Sequence, residues 1–554
     1  MKNITELPFD VDVVSAIKLQ AGSITCIYEN GNLRNIKKGN VEIIRMMYGA
    51  VRLDNWDTAA FTIENEKIEQ YDLEFSVRYT VRYFSLSTLY KASIVIEGKK
   101  NNTISFSMIG KAENKFKSNR IGICTLLPTS TCRAQPVQID TVSGKIEKTS
   151  FPDLISPSQP FYDIKKMEWN IFNHVAIELH FEGDIFEAED QRNWMDDSFK
   201  IYSRPLSLPF PFEVSEEEEL MQKVTLKIKN CENELADPGS IKRKIRVDET
   251  IPAIGYSSPD EIKELTKEQI VLLNKIPFKQ YRVEIYFHKN WKVALDKSFI
   301  DAEKLNTQLE IIAFFTKAFI SETDELIKYI VSGNQRISSI LLLHEECRVT
   351  PAVLQDYAYP LLKLAFHHIP VGYGTDGYFA ELNRERPKSN SYDFISFSIN
   401  PQVHVSDTLS LLENLNSLED IIETIQSFSD KPIHISPVTF KKRKNYDAKE
   451  KNRKEVLNNY DERQHTWFGS AWFLLCFYHL RKAERITFFK TIGDSGIIIS
   501  DSNDTTPIFK ILMQLKSFNP AWISKKNNGS YIEIVFGNEK KEKLIFSLSS
   551  RYLA

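Results

Sequence analysis

From about residue 280 onward, short β-rich runs alternate with longer segments of helical periodicity, and this alternation restricts the chain more than any other feature. A strand that returns through a helix to a parallel neighbour is covered on both faces, so its run is continuously apolar. The runs read YRVEIYF, QLEIIAFF, ISSILLL, IPVGY, DFISFSI, PIHIS, RITFFK and GIIIS. Eight βα units over this length predict a TIM (β/α)8 barrel. Two helix starts are marked: Thr350 before Pro351 reads as an N-cap with an N1 proline, and Ser417 with Asp420 approximates a capping box.

The first two hundred residues carry a different period. In YDLEFSVRYTVRYF, Leu73, Phe75, Val77, Tyr79, Val81 and Tyr83 alternate with Glu74, Ser76, Arg78, Thr80 and Arg82, which buries one face of an antiparallel strand and wets the other. NNTISFSMIG repeats the alternation through Ile104, Phe106 and Met108, and the clusters ENGN and EGKKNN separate the runs. A β-sandwich is expected. Strand character returns in SYIEIVFGNEKKEKLIFSLS, after an Asn528-Gly529 turn signal. Since 554 residues exceed what one core holds, we expect an N-terminal β-sandwich over 1–235, a central barrel over 236–515 and a small C-terminal β domain over 516–554. The charged segments SEEEE at 215–219 and KKRKNYDAKEKNRKE at 441–455 read as solvated loops; the second is alternatively a flap over the barrel mouth.

A net charge of −3, with neither end strongly basic, argues against nucleic-acid and membrane-surface partners and for a small polar one. The N-terminus lacks a continuous apolar stretch, so a soluble cytoplasmic protein is expected. Cys26, Cys124, Cys132, Cys231, Cys347 and Cys476 form no CxxC pair and are read as reduced thiols. His344-Glu345-Glu346 lacks the HExxH spacing, and neither a metal nor a cofactor is predicted. No feature argues for an assembly beyond a monomer or weak dimer.

In a barrel of this kind the chemistry sits at the C-terminal ends of the strands. The third run ends in His344, Glu345 and Glu346, and the fourth leads into TDGYFAELNR with Asp376, Glu381 and Asn383. The fifth leads into NPQVH with Asn400, Gln402 and His404; His434 and Ser436 lie in the sixth, Thr439 just beyond, and the seventh ends in Lys490. Some have plainer readings. Thr375 or Asp376 can cap a helix, Glu381 can be a surface helix residue, and His344 and His434 can be satisfied core histidines. NPQVH is harder to dismiss, because amide, amide and imidazole follow directly on apolar strand residues.

The segments EDQRNWMDDSFKIYSRPLSLPFPF, GTDGYFAELNR, FSINPQVH and HISPVT occur in this order, with VRLDNWDT, RIGICTLLP and SQPFYDI ahead of them. Together they resemble the D-apionate lactonase family over nearly the whole chain. The resemblance implies an N-terminal β domain, a TIM barrel, a C-terminal β domain, and hydrolysis of the lactone of a branched-chain sugar acid in apiose breakdown. One position departs: where the family pattern reads aromatic, aromatic, Glu, Thr, this chain has FFKT, with Lys490 in the acidic place. In related barrel glycosidases a strand-seven carboxylate is the nucleophile; a lysine there is read either as polarising a carbonyl or as the mark of a diverged member with a different substrate.

Lactone hydrolysis needs a general base for water and donors for the oxyanion. His404 or Glu381 is the candidate base, and Asn400, Gln402, Arg192 or Lys490 the candidate donors; no Gly-x-Ser-x-Gly elbow suggests a serine nucleophile. The crowded stretch from 188 to 212 then reads as a sandwich loop lent to the barrel, with Glu189, Asp190, Gln191, Arg192, Asn193 and Trp194 binding a polyhydroxylated substrate beside Asp376, Asn383 and His434. The alternative is that Asp190 and Arg192 form a buried ion-pair network. Two further functions stay open: a glycoside hydrolase pairing Glu381 with Glu345 or Glu346, and a diverged sugar-binding member without catalysis.

Overall fold

The computed structural model describes residues 2–8, 16–171, 175–229, 249–259, 264–333, 336–444, 460–499, 504–527 and 531–549. Cys231, the 235/236 boundary, residues 445–455 of the basic segment and the Asn528-Gly529 turn lie outside them. The chain divides into two compact units, one of residues 13–192 and 197–245, the other of residues 1–12, 193–196 and 246–554.

The first unit is built from two sheets, antiparallel throughout, whose inner faces share one apolar core that includes Tyr79, Tyr83, Tyr90, Phe106, Trp169 and Phe199. The period-2 reading holds along Glu74–Phe84, where Phe75, Val77, Tyr79, Val81 and Tyr83 are buried. Leu73 does not join them. It sits in the preceding turn with φ +62° and is exposed, because a tight hairpin takes the residue out of the pleat. SEEEE is largely exposed, and its first four residues link two strands.

The second unit contains the closed barrel. Its strands are β1 (Ala253–Ser257), β2 (Gln280–Tyr286), β3 (Gln308–Phe315), β4 (Ile337–His344), β5 (Val371–Gly374), β6 (Phe394–Ile399), β7 (Ile433–Val438) and β8 (Arg485–Ile492). All neighbours are parallel, and β1 pairs with β8 to close the ring. This corrects the membership of the eight runs. Ala253–Ser257 opens the barrel, whereas Gly496–Ile498 pairs with the end of β8 and lies outside the ring. The seven other runs are therefore strands two to eight, Lys490 is on the eighth strand, and the comparison with a strand-seven carboxylate no longer applies to it.

Alternate residues of each strand face opposite ways. Tyr281, Val283 and Ile285 of β2 pack outward with Trp291 and Leu295 of the following helix, while Tyr286, Ile312, Phe314, Leu341, Leu343 and Phe394 form an inner cluster. Helix Trp467–His479 is apolar nearly all round; it packs on β8 through Phe473 and Phe488 (4.7 Å) and on the C-terminal sheet through Phe477 and Phe536 (6.3 Å). That sheet runs Lys2–Pro8, Lys543–Ser549, Tyr531–Gly537, Trp522–Asn527 and Glu249–Thr250. The chain's first strand thus completes the C-terminal sheet, parallel to its last strand, and not the sandwich in which it was expected. No helix among the described residues is long and apolar enough to cross a membrane.

Both expected helix caps are replaced. Thr350 precedes the N-cap Pro351 and donates its hydroxyl to the Leu342 carbonyl; Ser417 donates its own to Met195 and Asn414. In each case a buried carbonyl nearby outcompetes the helix N–H groups.

Candidate active site

The loop after β6 carries a polar constellation at the C-terminal face. Asn400 Oδ1 accepts from Gln402 N at 2.9 Å, an Asx-type turn that directs the chain from the strand into NPQVH. Gln402 donates to the Phe440 carbonyl (2.9 Å) and to Asp461 Oδ2 (2.8 Å), joining the loops that follow β6 and β7. Burial pushes the Asp461 carboxyl up, but Arg463 and Gln402 pull it further down, so it stays below the ordinary range.

His404 Nδ1 lies 2.5 Å from Asp196 Oδ2, and Asp196 Oδ1 accepts from Asn414 Nδ2 at 2.9 Å. The whole segment Asn193–Asp196 is held this way. Asn193 Oδ1 accepts from Asn383 (2.9 Å), the Trp194 ring meets His404 edge-on at 5.6 Å with Arg384 5.0 Å away, and Met195 O accepts from Ser417 (2.7 Å). These contacts explain why four residues within the sandwich sequence belong to the barrel unit. Asn193, Trp194, Met195, Tyr378, Ser398 and Asn400 line a cavity of about 10 Å³, room for one water.

A second cluster spans β2, β5 and the segment after β7. Glu284 receives Arg282 (2.8 Å), Arg443 (2.6 Å), Lys444 (3.2 Å) and the Tyr286 hydroxyl (2.6 Å). Lys444 also donates to Asp376 Oδ2 and to the Tyr286 oxygen, each at 2.8 Å, above the Phe314 ring at 4.6 Å. Burial alone would raise the Glu284 carboxyl, but the charges of Lys444, Arg282 and Arg443 hold it well below the carboxylate range. Burial and the carboxylates of Glu284 and Asp376 push the Tyr286 phenol well up.

The other expected residues divide. Asp376 faces Lys444 and caps no helix. Glu381 is buried and lies 3.7 Å from Arg348; Glu345 is paired with His288 and Glu346 with Lys317 at 3.3 Å. Lys490 is buried near the end of β8, registered against Ser257. His434 is the second residue of β7, at the opposite end of the strand. It stacks on Phe394 at 3.9 Å and meets Glu484 at 3.2 Å, with burial holding its ring below the usual imidazole range. Glu189 pairs with Lys200 (3.3 Å) and Gln191 accepts from Ser198 (2.9 Å). Asp190 and Arg192 form a fully buried pair at 2.8 Å, with Arg192 also bonded to the carbonyls of Pro152 and Asp153 and Asp190 accepting from Ser156 N. These partners all belong to the sandwich unit.

Sequence reasoning passed over Asp196, Arg282, Glu284, Tyr286, Arg443 and Lys444. A signal existed for three of them. A parallel strand buried on both faces should be apolar throughout, and Arg282, Glu284 and Tyr286 break YRVEIYF at every second position. Arg443 and Lys444 stood in a run taken as solvated, and Lys444 is only 4% exposed.

Residues 9–231 match the family described as D-apionate lactonase, N-terminal domain, and residues 254–520 the family described as D-apionate lactonase, TIM barrel domain. The chain is 28% identical over 453 residues to the D-apionate lactonase of Brucella anthropi, covering 77% of this chain and 73% of that protein. Among solved structures it is similar to a family 39 glycoside hydrolase from Bacteroides cellulosilyticus WH2 (9% identity, 78% of this chain and 85% of that one, TM-score 0.39). A family 51 α-L-arabinofuranosidase from Bifidobacterium longum gives 10% identity, 55% and 83% coverage, and a TM-score of 0.38.

Proposed function

Since the chain belongs to the D-apionate lactonase family, we propose that it hydrolyses the internal ester of a sugar-acid lactone, with His404 as the general base. The observation that carries the assignment of the base is the 2.5 Å contact between His404 Nδ1 and Asp196. In this reading the Asp196 carboxylate accepts from the Nδ1–H of His404, which makes Nε2 the nitrogen that acts on water. In the proposed reaction Nε2 takes a proton from water as the water oxygen bonds to the lactone carbonyl carbon. The imidazolium, stabilised by Asp196, then returns that proton to the ring oxygen as its bond to carbon breaks, leaving a hydroxy acid. Glu381 is the weaker choice, because its carboxylate is already engaged by Arg348.

The developing oxyanion needs donors. Asn400, whose amide makes a long 3.5 Å contact to Tyr378, suits this role better than Gln402, whose amide is committed to Phe440 and Asp461. Lys490 is the proposed charged contributor, and Trp194 the apolar platform for the sugar ring. The relative's name, D-apionate lactonase, supports the lactone of D-apionate as the substrate, and with that substrate we place the reaction in apiose breakdown. The five described cysteines form no disulfide, in keeping with a reducing, cytoplasmic location.

The test is acid release from D-apionolactone and a panel of aldonolactones, followed against the spontaneous rate. Hydrolysis above background that is lost in His404→Ala supports both the reaction and the base. Background rates on every lactone would refute the reaction, and full activity in His404→Ala would refute the base.

A further inference from the structure

The barrel interior holds a buried arginine only partly used by the protein. Arg282 of β2 crosses to β7, donating Nε to Ser436 Oγ at 3.0 Å and Nη1 to Glu284 at 2.8 Å. Among the described residues its Nη2 has no acceptor, although the side chain is only 3% exposed. Ser257, at the end of β1, is registered beside Arg282, and its buried hydroxyl likewise has no partner among the described residues. A buried donor left unmade costs about 1–3 kcal/mol, more for a charged group, so two on neighbouring strands mark a place where something else accepts. The surroundings fix its charge. Around Glu284 and Asp376 stand Arg282, Arg443 and Lys444, with Lys289 over the Tyr286 ring at 4.6 Å. Among these described groups the cations outnumber the carboxylates, and a guanidinium with one arm committed offers the other to a planar anion.

The geometry points to a subsite at Arg282 Nη2 and Ser257 Oγ that takes the carboxylate of an open-chain sugar acid. Arg443 and Lys444 supply its field, and the Tyr286 and Phe314 rings, stacked at 4.4 Å, its apolar wall. It rests on the lactonase reading only for the identity of the acid: the site holds the hydrolysed, anionic form, for which a neutral lactone or polyol is no substitute.

The experiment is calorimetric titration of the full-length protein with four- to six-carbon aldonates, D-apionate among them, each against its neutral alditol. The expected result is that an aldonate binds at least tenfold more tightly than its alditol, with affinity falling as salt rises. Ser257→Ala and Arg282→Lys should each weaken aldonate binding about fivefold or more, the second keeping the charge but losing the fork. Equal binding of acid and alditol, binding of neither, or unchanged aldonate affinity in a folded Ser257→Ala protein would overturn the subsite. Because binding is read without turnover, a protein that hydrolyses lactones yet ignores the acids refutes this inference alone, and one that binds acids without turnover refutes only the lactonase reading.

Discussion

His404 and Asp196 meet at 2.5 Å although 208 positions of sequence separate them. The carboxylate is buried and held on its other oxygen by Asn414, so it presents one fixed acceptor to the imidazole. Replacing Asp196 with Asn keeps the shape but offers an amide, which favours the wrong tautomer. Asp196→Asn is expected to lower kcat for lactone hydrolysis by about 10²-fold or more with KM little changed, given the usual size of general-base effects. Steady-state kinetics read this directly; a kcat within twofold of the parent would remove Asp196 from the mechanism.

The Asp190 and Arg192 pair, fully buried within the sandwich unit, is a stability element. Arg192→Met leaves Asp190 as a buried charge without its guanidinium and frees the carbonyls of Pro152 and Asp153, and should cost about 3–5 kcal/mol. Adding Asp190→Asn removes the stranded charge, so the double variant should be less destabilised than the sum of the two single ones. Denaturant unfolding of the four proteins measures the coupling, and strict additivity would contradict the pairing.

His479 gives the protein a pH dependence of known sign. Burial, with Lys525 and Arg481 nearby, pulls its ring down to about 4 against the ordinary 6.5. The unfolded chain therefore takes up this proton first on acidification, and stability falls between pH 6.5 and 4. The loss by pH 5 is on the order of 2 kcal/mol. Glu419 acts in the same direction lower down: burial opposes its ionisation, but His479 and Arg481 outweigh burial and hold it far below the carboxylate range. The Tm should fall as pH drops from 7 to 5, and His479→Gln should flatten that fall while lowering the Tm at pH 7. An unchanged slope in the variant would show that other groups set it.

The barrel was legible because a parallel strand and its covering helix differ in period, so seven of its strands stood out as apolar runs. Ala253–Ser257 did not, since AIGYS is short, three of its five residues are small, and its place in the ring is set by pairing with β2 and, more than two hundred residues later, with β8. GIIIS is the converse case: its composition suits a strand, but nothing local says whether a strand closes a ring or lies beside it. The same distinction runs through the site. NPQVH announced itself by following an apolar strand, whereas Asp196 lies in another domain's sequence and acquires its meaning only where Ser417, Asn383 and His404 hold its segment.

Gly374 shows how closely that face is built. At the end of β5, immediately before Thr375 and Asp376, an added Cβ would stand 2.0 Å from the Ser396 carbonyl oxygen of β6. The obstacle is backbone, so relief requires β5 and β6 to separate, and with them the carboxylate that Lys444 holds. Gly374→Ala should cost about 3 kcal/mol, the upper end of the usual range for an overpacked core, since no flexible neighbour can give way. Gly144→Ala is the control: its φ is +86° but nothing lies within 4 Å, leaving only the backbone penalty of about 1 kcal/mol. Thermal unfolding of the two variants side by side separates steric from conformational cost, and a Gly374→Ala protein as stable as Gly144→Ala would mean that β5 and β6 are not packed as closely as their register requires.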